Sequence, residues 1–305
     1  MHLSVIICTH NPRKDYLTRT LDALKAQTLP REQWELLLVD NASAEPLAGQ
    51  WDLSWHPKSR IVLEPELGIL PCRVRGMRET CTHFILFVDD DNLLAPDYLE
   101  LALKIAETHP FLGAWGGSIL PEFETQPPAW VCEYQYLLAC VEVPEDRWSN
   151  LKFVYATMPP TAGMCLRRSV AEAFVRMVKD DPRRLMLGRR GKAGLTNCED
   201  LDLALTACDI GLGLGQFACL KMTHLIPSSR LDEDYLLRLY EGTMYSMVIL
   251  EAFRGRFPIR HHSSPLRAML GKLRRRLLWN RRRRLFFNAQ IRALRRADKI
   301  VAGWR

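Results

Sequence analysis

Several features that mark specialised classes of protein are missing from this sequence. No apolar run approaches the ~20 residues that a helix needs to cross a bilayer. No leader-like segment separates Met1 from the first strand-like run. There is also no internal repeat and no long low-complexity linker. These absences predict a globular protein of the cytoplasm.

Cysteine pairs at metal-binding or disulfide-forming spacing are absent as well. The chain has nine cysteines, an odd number, and no C-x-x-C pair. This argues against a disulfide framework and a zinc knuckle, and it favours a reducing compartment. We therefore expect most cysteines to be small buried hydrophobic residues.

Two familiar phosphate-binding loops are missing. The sequence contains neither G-x-x-x-x-G-K-[ST] nor G-x-G-x-x-G. If the chain binds a nucleotide, the diphosphate is therefore not cradled by either loop, and a metal ion has to neutralise more of its charge. Arg73 and Arg75, on a predicted helix, could add positive charge; the alternative is that they lie on a solvated face.

Acidic residues are nearly absent from the C-terminal segment. Residues 260–305 contain fifteen of the 42 basic residues but only one of the 35 acidic residues, Asp298. The net charge of +7 therefore hides a mildly acidic body and a strongly cationic tail. This asymmetry predicts a tail that meets an anionic surface.

What the sequence does contain is the alternation typical of an α/β protein. It is 48% hydrophobic and 25% charged, ordinary values for a globular chain with a real core. Apolar runs such as LSVIICT and WELLLVD alternate with amphipathic stretches such as DYLTRTLDALK. The pattern predicts a mostly parallel sheet flanked by helices, with ligands bound beyond the carboxyl ends of the strands. The polar residues at those ends are Thr9, His10, Asn11, Asp40, Asn41 and Asp89 to Asn92.

Three consecutive aspartates, Asp89 to Asp91, end the apolar run FILFV. Carboxylates this close repel one another unless a cation neutralises them. Oxygen ligands without a nearby cysteine favour a hard ion, Mn²⁺ or Mg²⁺, with coordination positions left for a diphosphate. The alternative is that these acids cap the following helix.

Several segments of the sequence, taken in chain order, resemble those of the family 2 glycosyltransferases, which have the GT-A fold. SVIICTHNP looks like the first nucleotide-binding strand of that family, LLLVDNAS like the second, and FVDDDN like the D-x-D motif. TAGMCLRR resembles the turn and helix on the acceptor side, CEDLDLALTACDIG the E-D motif, and MTHLIPSSR a downstream segment with a histidine. GILPCRVRG matches at Gly68, Arg73 and Gly76 but departs at Cys72 and Val74, where Ala and Asn are usual.

The resemblance covers residues 3 to 250 and implies roles for particular positions. No Q-x-x-R-W follows, so the processive polysaccharide synthases of the family are a poor match. Asp91 would ligate the metal, with Asp89 contacting the ribose or a metal-bound water and His224 as a further ligand or diphosphate contact. The nucleotide-binding positions would be Thr9, Asn11, Asp40, Arg73, Asp89 and Asp90, with Thr9 and Asp40 at the nucleobase and ribose.

The resemblance also implies a catalytic base at the start of the helix that begins CED. Asp200 is the first choice and Glu199 the fallback. Inverting transfer needs a carboxylate that takes the proton of the acceptor hydroxyl as its oxygen attacks the anomeric carbon. The alternative is that both acids only cap the helix and compensate its dipole.

The basic tail carries an apolar stripe at helical spacing. Its members are Leu266, Met269, Leu270, Leu273 and Leu277, and Trp279, Phe286 and Phe287 add aromatics. Arginines on one side and an apolar stripe on the other favour a helix that lies in a membrane interface. Packing of the stripe on the catalytic body is an alternative, and nucleic-acid binding is a third, less favoured one.

Together, the sequence predicts a metal-dependent, inverting glycosyltransferase of polysaccharide biosynthesis. Its donor would be a nucleotide sugar, most simply a UDP-sugar, and its acceptor a glycan or a lipid-linked glycan. Residues 1–255 would form the GT-A catalytic domain, divided at residue 110 into nucleotide-sugar and acceptor halves, and residues 256–305 a basic helical tail on the inner face of the membrane. The rival hypotheses are a nucleotidyltransferase and a non-enzymatic nucleic-acid-binding protein.

Overall fold

A computed structural model describes residues 2–190, 195–256 and 278–304 of the chain. The strands are β1 (Leu3–Thr9), β2 (Trp34–Asp40), β3 (Ser59–Leu63), β4 (Phe84–Asp89), β5 (Asn92–Leu94), β6 (Leu112–Phe123), β7 (Arg147–Ser149), β8 (Cys165–Arg167) and β9 (Gly213–Ile226). The helices are α1 (Lys14–Lys25), α2 (Ile69–Glu79), α3 (Tyr98–Thr108), α4 (Arg168–Asp180), α5 (Glu199–Asp209), α6 (Glu233–Phe253) and α7 (Arg281–Val301). Among the 3-10 helices, Ala129–Leu138 and Ser228–Leu231 contribute residues to the site.

The strands form one sheet in the order β3-β2-β1-β4-β8-β6-β9-β5, and β7 also pairs with β9. Strands β1 to β4 are parallel to one another, and β6 is parallel to β9. The predicted α/β class and the flanking helices are confirmed. The sheet is parallel in its first half and mixed as a whole, because β5, β7 and β8 run in the opposite direction to their neighbours.

Alternate residues of the central strands face two helical layers. In β1, Ile6 and Cys8 join the core formed with α2, α4 and α5, whereas Leu3, Val5 and Ile7 join the core formed with α1 and α3. All seven residues of β1 are buried. Burial on both faces explains why this strand is apolar throughout instead of alternating with polar residues.

The register of the parallel strands aligns their polar ends. Thr9 at the end of β1 lies opposite Asp40 at the end of β2, and Cys8 lies opposite Asp89 at the end of β4. Helix α2 approaches this edge closely because residue 76 is glycine: a Cβ there would lie 2.7 Å from Ile6 Cγ2. The sequence thereby places strand-end acids and the first turns of α2 around one crevice.

Two long strands in the second half of the chain were not predicted. Strands β6 and β9 have 12 and 14 residues and pair with an irregular register between Gly117 and Ser118. A Cβ on Gly117 would lie 2.1 Å from the carbonyl oxygen of Leu220, so this bulge requires glycine. The glycines and the proline in WGGSILPEF conceal the strand pattern.

The described part of the basic tail is α7, which packs along α6. Its buried face consists of Phe286, Ala289, Ala293, Ala297 and Val301. Arginines beside this face pair with Glu233 and Glu241 of α6. For residues 278–304, packing on the body is therefore the observed arrangement.

The rest of the tail prediction is not decided by the structure. The stripe from Leu266 to Leu277 lies outside the described residues, and the domain boundary at residue 255 stays a prediction. Within the described ranges, no helix combines the length and the apolar character needed to cross a membrane.

Candidate active site

A cavity of about 440 Å³ lies at the carboxyl ends of β1, β2 and β4. Five carboxyl groups share it, from the end of β4 and the start of α5. Its polar lining residues are Thr9, His10, Asn11, Asn41, Arg73, Asp89, Asp90, Asp91, Thr161, Arg189, Asn197, Glu199, Asp200, His224, Arg230 and Tyr235. Leu67, Ile69, Leu137, Leu138 and Leu239 are among the apolar ones.

Asn92 shapes the turn that separates the three aspartates. Its Oδ1 accepts a hydrogen bond from the backbone N–H of Asp89 (3.1 Å), and its Nδ2 donates to Asp91 Oδ1 (3.0 Å). Thr9 donates its hydroxyl hydrogen to Asp90. Burial and the charge of Asp91 nevertheless raise the pKa of Asp90 to about 7. Each carboxylate thus has its own neighbours, and these set its protonation.

Asp91 faces two basic side chains from the end of β9 and the segment after it. His224 Nε2 lies 3.4 Å and Arg230 Nη2 3.1 Å from Asp91 Oδ2. Antiparallel pairing of β5 with β9 sets this geometry, because it places Asn92 directly opposite His224. Since a carbonyl oxygen only accepts, His224 Nδ1 donates to the Leu138 oxygen (3.0 Å), which leaves Nε2 directed at Asp91.

The electrostatics of this group keep Asp91 ionised. Burial acts to raise the pKa of Asp91, but the charges of His224 and Arg230 outweigh it and hold that pKa well below its usual range. Burial likewise acts to lower the pKa of His224, yet Asp91 outweighs it and raises that pKa to about 9. Asp91 is therefore an anionic oxygen donor over the whole physiological range.

A divalent ion at this point would have two protein ligands, and His224 would have to give up the Nε2 proton that its raised pKa retains at neutral pH. Among the described residues there is no group of three His, Cys, Asp or Glu side chains arranged to hold a metal. Asp91 Oδ2 and His224 Nε2 do converge, and the Arg230 guanidinium bridges them at 3.1 and 3.0 Å. A cationic group thus already occupies the point where these donors meet. A metal there would take its remaining ligands from a diphosphate and water.

Arg73 lies between two carboxylates in the cavity lining, and its expected contact with a diphosphate stays a prediction. It is 5% exposed, with Nη1 at 2.6 Å from Glu199 Oε1 and Nη2 at 3.6 Å from Asp89 Oδ1. Burial acts to lower the pKa of Arg73, but Glu199 and Asp89 hold it well above its usual range. The carboxylate of Asp89 faces Arg73 in this pairing, and its assignment to the metal stays a prediction.

A strained turn delivers the acidic pair Glu199 and Asp200 to the cavity. Cys198, immediately before α5, has φ 70°, in the left-handed region that costs a non-glycine residue ~1–2 kcal/mol. Glu199 is committed to Arg73, while Asp200 accepts a hydrogen bond from the N–H of Leu201 (2.8 Å) and lines the cavity. Burial and the neighbouring charge of Glu199 raise the pKa of Asp200 to about 7.

A buried ion cluster anchors the same helix one turn further on. Asp202 Oδ1 lies 2.6 Å from Arg184 Nη1 and 2.6 Å from Arg254 Nη2. Asp202 is 1% exposed, and the two arginines compensate its buried charge. Helix α5 is therefore fixed to the segment before it and to the end of α6.

Asp40 and Asn11 hold loops at the edge of the cavity. Asp40 is 3% exposed, and its two oxygens accept hydrogen bonds from the N–H groups of Ser43 and Leu47, both at 3.0 Å. The carboxylate thus shapes the loop, and its expected contact with the nucleobase stays a prediction. Asn11 Oδ1 accepts from the N–H of Ala44 (2.8 Å), yet Asn11 and Thr9 remain in the cavity lining.

Two cationic side chains of the cavity, Arg189 and Arg230, were missed by sequence reasoning. Arg230 is the last residue of the segment MTHLIPSSR, six positions after His224, so a signal was present in a motif already quoted. Arg189 follows a left-handed Gly188 (φ 84°) in a charged loop that offers no such signal. Both add positive charge to the cavity besides that of Arg73.

Comparison with known proteins identifies the family. The sequence model of glycosyl transferase family 2 matches residues 4–159, about half of the chain. A glucosyl-dolichyl phosphate glucuronosyltransferase of Haloferax volcanii is 26% identical over 147 residues, which are 47% of this chain and 46% of that protein. An uncharacterised glycosyltransferase of Haemophilus influenzae is 31% identical over 108 residues, 35% of each chain. The chain thus spans less than half the length of these relatives.

Solved structures show the same fold over nearly the whole chain. A mannosyltransferase of Pyrobaculum calidifontis, PcManGT, in complex with GDP-Man and Mn²⁺, superposes with a TM-score of 0.58 at 16% identity, covering 97% of this chain and 86% of that one. Residues 1–349 of S. aureus TarS, in complex with UDP-GlcNAc, give 0.55 at 15% identity, covering 99% and 83%. The predicted GT-A fold is confirmed.

Replacing Arg73 should destabilise the protein far more than replacing Arg75, its more exposed neighbour on the same helix. Arg73→Met leaves the buried Glu199 and the partly exposed Asp89 without their cation, and we expect a loss of ~3–5 kcal/mol in the free energy of unfolding, most of it from Glu199. Arg75→Met is the control: it removes a half-exposed pair with Glu79 (2.8 Å) on the same helix, worth less than ~1 kcal/mol. Urea denaturation of both variants measures the difference. Equal losses would show that Arg73 does not neutralise the acidic cluster.

Proposed function

We propose, from the premise that this chain belongs to glycosyl transferase family 2, that it transfers a sugar from a nucleotide-diphosphate donor to a glycan or lipid-linked acceptor, with inversion at the anomeric carbon. One observation carries the proposal: a single cavity holds an ionised Asp91 beside His224 and, separately, an Asp200 whose pKa is raised to about 7. The first arrangement suits a cation and its diphosphate, and the second suits a general base.

The donor would lie across the strand ends, with its nucleoside towards Thr9, Asn11 and Asp90. We propose UDP as the nucleotide. The solved structures that share the fold bind UDP-GlcNAc in one case and GDP-Man in the other, so the fold accommodates either base. The relative from Haloferax volcanii is a glucosyl-dolichyl phosphate glucuronosyltransferase, which supports a lipid-linked acceptor.

The diphosphate would meet a metal ion and two arginines. Asp91 and His224 would hold Mn²⁺ or Mg²⁺, which supplies charge stabilisation for the departing diphosphate. The Mn²⁺ in the mannosyltransferase complex supports a divalent ion as the cofactor. Arg230 contacts both Asp91 and His224. When these two residues hold the metal, Arg230 would turn to the phosphate oxygens together with Arg189.

Asp200 would act as the general base. Its carboxylate accepts the hydroxyl proton of the acceptor while the acceptor oxygen bonds to the anomeric carbon. The bond from that carbon to the phosphate oxygen breaks, and the electron pair leaves with the nucleoside diphosphate. A base pKa near the operating pH favours this proton transfer.

Glu199 would be a positioning residue and would not accept the proton of the acceptor. Its Oε1 is held by Arg73 at 2.6 Å, and the side chain is 8% exposed, so it is poorly placed to accept a proton from an incoming acceptor. Its negative charge acts on the neighbouring base, because it helps to raise the pKa of Asp200. This supports Asp200 as base and Glu199 as the fallback.

The pH dependence and the variants of the acidic pair test this assignment. Because the pKa of Asp200 is raised to about 7, the ionised base is lost as pH falls, so kcat should drop about tenfold per pH unit well below 7 and level off above it. Asp200→Asn should lower kcat at least ~10²-fold with little change in donor affinity. Glu199→Gln should retain more activity. An active Asp200→Asn beside an inactive Glu199→Gln would exchange the two roles.

The metal assignment is tested on donor binding. Asp91→Asn keeps the shape of the side chain but removes its charge, so Mn²⁺-dependent binding of UDP should be lost. The protein should stay folded, with a thermal midpoint of ~45 °C or higher. Asp97→Asn, an exposed acid just before α3, is the control and should bind as the parent does. Calorimetric titration of UDP with and without Mn²⁺ measures both. Unchanged metal-dependent binding by Asp91→Asn would contradict the site.

The tail is proposed to meet an anionic membrane surface. In the described half, the apolar face of α7 is used on α6, so its contact with lipid would be electrostatic, through exposed side chains such as Arg283, Arg295 and Lys299. Each cation near such a surface contributes on the order of 1 kcal/mol. This places the enzyme at the inner face of the membrane, near a lipid-linked acceptor.

Charge reversal tests the membrane proposal. Changing Arg283, Arg295 and Lys299 to Glu should release the protein from vesicles rich in phosphatidylserine and leave turnover on a soluble acceptor nearly unchanged. The matched control reverses Lys25, Lys104 and Lys179, exposed lysines of the body, with the same change in net charge. Co-sedimentation at low and high salt is the measurement. A parent protein that does not sediment with these vesicles contradicts the proposal.

A further inference from the structure

One wall of the cavity is a single stretch of 3-10 helix. It comprises residues 129–139: the 3-10 helix Ala129–Leu138 followed by Ala139 in a left-handed conformation (φ 57°). Leu137, Leu138 and Ala139 line the cavity. The hydrogen-bond geometry of 3-10 helices is poorer than that of α-helices, and runs longer than a turn or so are uncommon. This wall therefore depends on its packing partners to stay in place.

The wall is connected to the reactive end of the cavity by one hydrogen bond. The carbonyl oxygen of Leu138 accepts from Nδ1 of His224 at 3.0 Å. This bond fixes the ring orientation and leaves Nε2 facing Asp91. Groups that orient a candidate metal ligand in this way are worth about 10–100-fold in metal affinity. Movement of the wall would thus be felt at His224.

Helix α7 reaches the wall through two side chains. The Phe286 ring, 4% exposed, is stacked on that of Tyr134, with ring centroids 3.9 Å apart and planes at 18°. The guanidinium carbon of Arg282 lies 4.2 Å from the ring centroid of Trp130, and its Nε lies 2.8 Å from Glu233 Oε2. Both contacts join the C-terminal helix directly to the cavity wall.

We propose that α7 is a positioning element of the active site, in which Phe286 and Arg282 hold the wall and, through Leu138, the orientation of His224. That α7 holds the wall follows from these contacts, whereas its effect on catalysis rests on the proposed function. The cationic C-terminal helix would thus have a role besides that of its exposed basic face. The helix that would meet a charged surface is then also the helix that orders the site.

The contacts of α7 fall into two groups that can be separated experimentally. Phe286 and Tyr134 belong to a small core shared by the wall, the end of β9 and α6. Arg292 instead pairs with Glu241 of α6 at 2.6 Å, on the exposed side of the helix pair. A variant at Arg292 weakens the attachment of α7 without touching the wall, so it is a matched control for a variant at Phe286.

The experiment measures order in the wall by hydrogen–deuterium exchange of the full chain. Phe286→Leu keeps an apolar side chain but removes the ring stack, and we expect the wall amides to exchange about tenfold faster, with α1 to α3 unchanged. Tyr134→Leu removes the same stack from the other side and should give the same result. The double variant should exchange more slowly than the product of the two single effects predicts, because both single variants lose the same stack between Phe286 and Tyr134.

A second readout separates positioning from plain stability. Phe286→Leu should raise the apparent dissociation constant for Mn²⁺ about tenfold in the presence of UDP, with a smaller change in kcat at saturating metal. Arg292→Ala should leave the metal affinity and the wall exchange at the parent values, whatever it does to the melting temperature.

Three outcomes would overturn the inference. These are unchanged wall exchange in both Leu variants, faster exchange spread evenly over the chain, and an Arg292→Ala variant that disturbs the wall equally. If the parent protein binds no Mn²⁺ with UDP, the proposed function fails instead, and the exchange of the wall still decides whether α7 holds it.

Discussion

The crowding of five carboxyl groups at one end of the sheet is the constraint on which the rest of this site depends. Like charges in a partly buried cavity cannot all remain ionised unless cations lie among them. Arg73 joins the acid at the end of β4 to the acid at the start of α5, at 3.6 and 2.6 Å. His224 and Arg230 do the same for Asp91. The close approach of α2 to β1 at Gly76 brings Arg73 to its two acids. The pairing of β5 with β9 brings His224 to Asp91.

Different surroundings give chemically similar acids different properties. Asp91 has two basic neighbours, and its pKa is depressed despite its burial. Asp200 has a carboxylate, Glu199, beside it, and its pKa is raised to about 7. An acid that is always ionised suits a bound cation, whereas one that titrates near neutrality suits proton transfer. The assignment of roles within the cavity follows from this contrast.

The second half of the chain completes a site that the first half begins. The family match ends at residue 159, whereas the acidic pair, His224 and Arg230 all follow it. Helix α5 brings the acidic pair in, and a buried Asp202 fixes that helix to Arg184 and Arg254. The wall of residues 129–139 closes the cavity beside His224, and α7 packs on that wall through Phe286. The described part of the tail therefore belongs physically to the catalytic body.

The sequence by itself determined the α/β class and the gathering of Asp89 to Asp91, because burial on two faces and strand-end polarity are local patterns. It did not reveal β5, the short strand that follows these acids. It also pointed to His224 and the pair at 199 and 200. It did not determine the strands β6 and β9, whose glycines serve a bulge, or the partners of Asp40 and Arg73. Only the tertiary structure decided that Arg73 neutralises two acids, that Asp40 holds a loop, and that Arg230 meets Asp91. The physical reason is that a charge finds its partner across the fold: Arg73 and Glu199 are 126 positions apart in the chain and 2.6 Å apart in space.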